Sequence, residues 1–141
     1  MSSKARVFVI EADQVVRSAL GYILSERHET FTFAEPADAL TKAARSAPDV
    51  VLVGSSLIAD DGAETVAMLA RKLNRAGIVV VADSVKAPLA LAGLRQGAEA
   101  IIAKPITFDG VTHAVESVYA RRGTEPGLAK SPRLVPTEIS R

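Results

Sequence analysis

Val50-Val-Leu-Val53 is a continuous apolar run near the middle of a chain of 141 residues, and three similar runs accompany it. They are Val7–Ile10, Ile78–Val81 and Ala100–Ala103. Short apolar runs without alternation are typical of strands that are buried on both faces of a parallel sheet. Thr30–Phe33 alternates polar and aromatic residues instead, which predicts an edge strand with one covered face.

Helical patterns occupy the intervals between these strands, and each has its own boundary signals. Asp13 and Thr107 are expected to be N-caps, Pro36 and Pro88 to open helices, and Gly97 to end one in a left-handed conformation. Five strands that alternate with five helices predict a single α/β domain. Its expected architecture is a doubly wound, flavodoxin-like parallel sheet of five strands with the order 2-1-3-4-5.

Composition excludes several classes of function. A net charge of +1 gives no broad attraction to nucleic acid, and the absence of cysteine excludes disulfides, thiolate nucleophiles and cysteine metal sites. No apolar run approaches the ~20 residues of a membrane helix, so a cytoplasmic protein is expected. We predict one domain over residues 1–122 and a C-terminal tail or linker over 123–141, where three prolines and two glycines interrupt every period.

Ligands of such sheets bind at the carboxyl ends of the strands, near the switch in strand order. The stretches around these ends are VFVIEADQVVRSAL at residues 7–20, PDVVLVGSSLIADDG at 48–62 and GAEAIIAKP at 97–105. In this order and spacing they resemble the response-regulator receiver domain of two-component signalling, which has a CheY-like fold. The stretch TFTFAEPADAL at 30–40 resembles the FixJ-like branch, and the whole resemblance covers roughly residues 5–121.

A working receiver, as this resemblance implies, has two acidic residues that hold magnesium and an aspartate that accepts the phosphoryl group. It also has a hydroxyl and a lysine that contact the phosphoryl oxygens, and an aromatic switch residue. In this chain these positions fall, in the same order, on Glu11 and Ala12, Gly54, Ala82, Lys104 and Ile101. Gly54 offers no carboxylate to attack phosphorus, and Glu11 alone is a poor cage for magnesium.

Several readings of this degenerate pocket stay open. Lys104 is expected to form a salt bridge with Glu11 or Asp83, but it could hold a small anion or metabolite in the vacated pocket instead. Asp60, Asp61 or Asp83 could serve as a displaced phosphoacceptor, although aspartate beside glycine commonly shapes a turn. The resemblance also implies a cis peptide bond between Lys104 and Pro105. His28 and His113 have no metal-ligand spacing, and no catalytic residue, metal or cofactor is expected.

We therefore expect a stand-alone pseudo-receiver that acts as an adaptor and does not depend on phosphorylation. Its partners would be proteins of a signalling pathway, such as a histidine kinase or another regulator, or a second copy of the chain. The resemblance implies a contact surface that combines the fourth predicted helix, the fifth strand and the fifth helix. The fourth predicted helix carries more apolar residues than one buried stripe needs, which suggests an exposed apolar surface. The candidate contact residues are Leu89, Leu91, Leu94 and Ile101.

Overall fold

The computed structural model describes residues 4–59 and 64–123. Its strands are β1 (Arg6–Ile10), β2 (Glu29–Phe33), β3 (Val50–Gly54), β4 (Gly77–Ala82) and β5 (Ala100–Ala103). Its helices are α1 (Gln14–Leu24), α2 (Pro36–Ala43), α3 (Ser56–Ala59), α4 (Glu64–Lys72), α5 (Pro88–Gln96) and α6 (Phe108–Gly123). All strand pairs are parallel and the order is β2-β1-β3-β4-β5, which confirms the predicted fold.

The core consists of two apolar layers, one on each face of the sheet. Side chains alternate along each strand, so that Phe8 and Ile10 belong to one layer and Val7 and Val9 to the other. The first layer packs against α2, α4 and α5, and the second against α1 and α6. The three central strands are almost fully buried, as expected for strands covered on both faces.

The predicted helix boundaries are confirmed at atomic detail. Asp13 Oδ1 accepts hydrogen bonds from the Val15 and Val16 amides at 2.8 and 3.1 Å, and Thr107 Oγ1 accepts one from the Gly110 amide at 3.0 Å. These contacts satisfy amides that have no partner within their own helix. Gly97 ends α5 with a φ of 124°, a conformation that favours glycine.

Two sequence-based expectations need correction. The run Ala100–Ala103 was expected to be buried on both faces, but β5 is an edge strand of which only Ile102 is fully buried. The four-residue helix α3 was not expected, because so short a helix has no full period to detect. The turn at Asp61 and Gly62 and almost all of the predicted tail lie outside the described residues.

No helix within residues 4–59 and 64–123 is long and apolar enough to cross a membrane.

Candidate functional site

The fold brings the predicted site positions together at the carboxyl edge of the sheet. Ile10 pairs with Val53 and Gly54 with Val81, so the residues that follow β1 and β4 lie on either side of the end of β3. Ala82 pairs with Ala103, which places Lys104 beside the end of β4. Glu11, Gly54, Ala82 and Lys104 therefore share one edge, as the sequence predicted.

Glu11 fills the centre of this edge. Its side chain is buried, with only 4% of the residue exposed, and its Oε2 accepts a hydrogen bond from the Asp13 amide at 2.9 Å. Its own amide donates to the Phe33 carbonyl at 2.9 Å, which continues the pairing of β1 with β2. Glu11 is thus held between the two strands and the start of α1, and its carboxylate points over β3.

Gly54 lies directly beneath that carboxylate. A Cβ atom built on Gly54 would lie 2.1 Å from Glu11 Oε1 and 2.9 Å from Oε2. Real Cβ atoms are not found so close to another heavy atom, so the Glu11 carboxylate occupies the volume in which any side chain at position 54 would begin. The sequence indicated a vacated pocket. The structure corrects this, because the Glu11 side chain at the end of the neighbouring strand fills the space.

Lys104 turns toward Asp83. Its Nζ lies 3.4 Å from Asp83 Oδ1, which confirms the expected salt bridge with one of its two candidate partners. The Asp83 side chain is 87% exposed and that of Lys104 39% exposed, so solvent screens this pair. The peptide bond between Lys104 and Pro105 is cis, as the resemblance implied.

The remaining site positions supply no polar side chain. Ala82 is fully buried and offers only a methyl group, whereas Ala12 is exposed in the loop between β1 and α1. Arg17 is a site residue that the sequence reading missed: its Nη1 donates to the carbonyls of Glu11 and Ala12, at 2.8 and 3.3 Å. Its position in the first turn of α1 could have indicated this role, because a long side chain there can reach back to the preceding loop.

A magnesium ion does not fit this donor set. Magnesium requires near-octahedral oxygen coordination, but the Glu11 carboxylate already bonds the Asp13 amide, and Arg17 brings a positive charge to the loop that would carry the second ligand. Within the described ranges, no group of three His, Cys, Asp or Glu side chains is placed to hold a metal.

The predicted contact residues divide into two kinds. Leu91 and Leu94 are 40% and 39% exposed on α5, whereas Leu89 and Ile101 are partly buried against the core. Val85, which is 53% exposed just before α5, adds to the exposed group. The sequence reading missed a second apolar surface on α1.

That second surface consists of Val15 and Tyr22, which are 78% and 75% exposed. They lie seven residues apart and hence on one side of the helix. Their signal was the spacing itself, because the core stripe of α1 accounts for Leu20 and Leu24 and leaves these two residues facing away.

His28 is a buried histidine on the opposite edge of the sheet, at the start of β2. Its Nδ1 accepts a hydrogen bond from the Ala5 amide at 3.0 Å, and its Nε2 lies 3.7 Å from Glu116 Oε2. Burial lowers the pKa of His28 below its ordinary value; the Glu116 carboxylate opposes this shift and Arg27 adds to it. Nearly all of the imidazole is shielded from solvent, so His28 is a packing group between α6 and the sheet.

Comparison with known proteins agrees with this geometry. The sequence model of the response regulator receiver domain matches residues 7–116. The fold matches that of a response regulator from Thermotoga maritima with a TM-score of 0.73 at 17% identity, over 83% of this chain and 98% of that one. No protein of curated function matches the sequence.

Two longer proteins contain the same fold. NtrX from Brucella abortus, in complex with ADP, matches with a TM-score of 0.80 at 22% identity over 96% of this chain. Full-length FixJ from B. japonicum matches with a TM-score of 0.73 at 21% identity over 88% of this chain. The present chain covers 32% of the NtrX chain and 61% of the FixJ chain.

The sheet order and its flanking helices form the fold of a receiver domain. With the match over residues 7–116, the chain belongs to the response regulator receiver domain family.

Proposed function

We propose that this receiver domain works without phosphorylation, as a protein-interaction module in signal transduction. The observation that carries the proposal is the buried carboxylate of Glu11 packed against Gly54. Covalent phosphoryl transfer needs a carboxylate nucleophile at the acceptor position. At Gly54 there is no such nucleophile, and the space for one is taken.

Glu11 is itself a poor substitute for the acceptor. The attacking and leaving oxygens must lie roughly in line with the phosphorus atom, and a residue that is only 4% exposed leaves little room for a phosphodonor to approach. One oxygen of the carboxylate is also engaged by the Asp13 amide. We therefore assign Glu11 the role of a fixed negative charge that fills the pocket.

The same carboxylate counts against the alternative of a small-anion sensor. A buried negative group repels an incoming anion, and Lys104, the cation that would attract one, is directed to Asp83. Of the three candidate displaced acceptors, Asp83 lies within the described residues, whereas Asp60 and Asp61 lie outside them. Its side chain projects into solvent and pairs with Lys104, which is an ordinary surface arrangement.

We further propose that partners bind at the α5 surface, defined as Val85, Leu91 and Leu94. Three large apolar side chains along α5 and the loop before it remain 39% to 53% exposed, and such exposed apolar groups can mark an interaction site. Leu89 and Ile101, which pack against the core, would support this surface from beneath. A partner of the signalling pathway, or a second copy of the chain, would cover it by aliphatic packing.

The direct test of phosphorylation is the intact mass of the protein after treatment with acetyl phosphate and magnesium. We expect no gain of a phosphoryl group on the native chain. A stoichiometric gain would contradict the proposal, and peptide mapping would then distinguish Asp60, Asp61 and Asp83 from Glu11.

A further inference from the structure

A groove of about 470 Å³ opens between the ends of α2 and α4. It lies at the edge of the sheet where β3 and β4 begin, opposite the edge that holds Glu11 and Gly54. Its floor is apolar, formed by Leu40, Ala43, Pro48, Leu73 and Ala76. Both its size and its apolar lining are ordinary for a binding site.

The rim of the groove is cationic. Lys72 and Arg75 line it, and none of the described residues that line it is acidic. Lys72 lies in the last turn of α4, where a cation favours the helix dipole, but Arg75 lies beyond the helix. Neither residue takes part in an ion pair within 4–59 and 64–123. The groove therefore fits an aliphatic segment that carries a carboxylate.

The end of α6 lies close in space to the residues that form this groove. The side chains of Val118 and Arg122 pack against Gly77, where an added Cβ atom would lie 2.3 Å from Val118 Cγ1. Gly77 directly follows Ala76, which is part of the groove floor. The chain that continues from α6 thus starts at the same edge of the sheet.

The sequence beyond α6 contains a segment with the required chemistry. Residues 134–139 read Leu-Val-Pro-Thr-Glu-Ile, with four apolar side chains, one carboxylate and no cation. Residues 124–133 precede it, and ten residues can span up to about 33 Å. That reach allows the segment to pass from the end of α6 around the edge of the sheet to the groove.

We propose that the groove between α2 and α4 binds the chain's own segment Leu134–Ile139. The aliphatic side chains would cover the apolar floor, and Glu138 would lie by Lys72 and Arg75. Arg133 and Arg141 flank the segment and would stay outside the cationic rim. This intramolecular contact is independent of the α5 surface and of the Glu11 pocket.

The absence of cysteine in the chain makes a direct test available. A nitroxide spin label on a single Ser140→Cys variant should broaden the amide resonances of Ala44, Ala47 and Asn74 at the rim of the groove, with loss of most of their intensity. Amides of Ser18 and Tyr22, on the other face of the sheet, serve as the reference. Broadening that is no stronger at the rim than at α1 would overturn the proposal.

Three variants of the labelled protein establish what is bound. Leu134→Asp with Val135→Asp should abolish the broadening, whereas Leu128→Asp with Ala129→Asp, which adds the same two charges outside the segment, should leave it. Lys72→Glu with Arg75→Glu should weaken it. Persistence after the double change in the segment would refute the contact. So would broadening that arises only between a spin-labelled and a ¹⁵N-labelled copy in a mixture, because a second copy would then be the occupant.

Discussion

The Glu11 carboxylate lies so close to the backbone of Gly54 that any side chain at position 54 would displace it, since a Cβ atom on Gly54 would lie 2.1 Å from Glu11 Oε1. Because Gly54 has no side chain, the Glu11 carboxylate can lie against the backbone of β3 in its buried position. One substitution in this pair therefore changes the environment of the other residue, which makes the pair the natural target for mutation.

Gly54→Ala should destabilise the protein modestly. The clash falls on the end of a flexible side chain, so Glu11 can move away, at the cost of its hydrogen bond to the Asp13 amide. Loss of such a bond is worth about 1–3 kcal/mol when a buried group is left unsatisfied. Urea unfolding measures the change in the free energy of unfolding. In combination with Glu11→Ala the cost should be less than additive; full additivity would show that the two residues do not compete for space.

Gly54→Asp should destabilise more, and in a manner that depends on pH. Two carboxylates in one buried pocket repel each other, which raises the pKa of the new aspartate above its unfolded value of about 3.9. The folded variant then binds a proton more readily than the unfolded chain. Its deficit in stability relative to the native protein should therefore be largest at pH 8 and shrink toward pH 5. A deficit that does not vary with pH would contradict a shared pocket.

Repair of the pocket should require several changes at once. Gly54→Asp alone should give no labelling by acetyl phosphate and magnesium, because Ala12 and Ala82 still supply neither a second carboxylate nor a hydroxyl. The triple variant with Ala12→Asp and Ala82→Thr should label better, and a further Glu11→Asp should help by shortening the side chain that fills the site. A phosphate-affinity gel across the series measures this. Efficient labelling of the single variant would show that the pocket is less degraded than proposed.

The stability of the native protein should fall between pH 7 and pH 5 in part because of His28. Burial lowers its pKa, so the unfolded chain binds a proton near pH 6.5 that the folded chain does not yet bind. Stability is therefore lost as the pH falls through this range, by at most about 1.4 kcal/mol per pH unit for one group.

His28→Asn, measured by urea unfolding across this range, should flatten the dependence. The matched control is His113→Asn, whose parent side chain is exposed on α6 and meets solvent in both states. Equal flattening by both variants would rule out His28 as the source.

Leu91→Ser with Leu94→Ser should remove partner binding and leave the fold intact. Both side chains are partly exposed, and surface changes of this kind usually alter stability by no more than about 0.5 kcal/mol. Proteins captured from the native host by the unaltered chain should be lost with this double variant. Val15→Ser with Tyr22→Ser, on α1, is the matched control and should retain them. The reverse pattern would place the interface on α1.

The sequence predicted the fold well because its signals are local. Four apolar runs and one alternating stretch located the five strands, and Asp13, Thr107 and Gly97 marked helix ends through contacts within a few residues. The partial exposure of β5 was missed because a run of apolar residues does not reveal whether helices cover both faces of an edge strand.

The site was predictable in its members but not in its geometry. Sequence order placed Glu11, Gly54, Ala82 and Lys104 at one edge of the sheet. It left two possible ion-pair partners for Lys104, namely Glu11 and Asp83. The choice between them, and the packing of Glu11 over Gly54, depend on side-chain conformations at the ends of different strands. No periodicity or spacing carries that information. Arg17 was missed because its role is to bond the backbone carbonyls of a loop.

The central claim is that this pocket does not receive a phosphoryl group, and its most direct test is the melting temperature with beryllofluoride and magnesium at millimolar concentrations. Beryllofluoride mimics a phosphoryl group on an acceptor carboxylate, so it needs the nucleophile and the metal site that Gly54 and Ala12 do not supply. The account predicts an unchanged melting temperature for the native chain. A rise that requires both magnesium and beryllofluoride would contradict it.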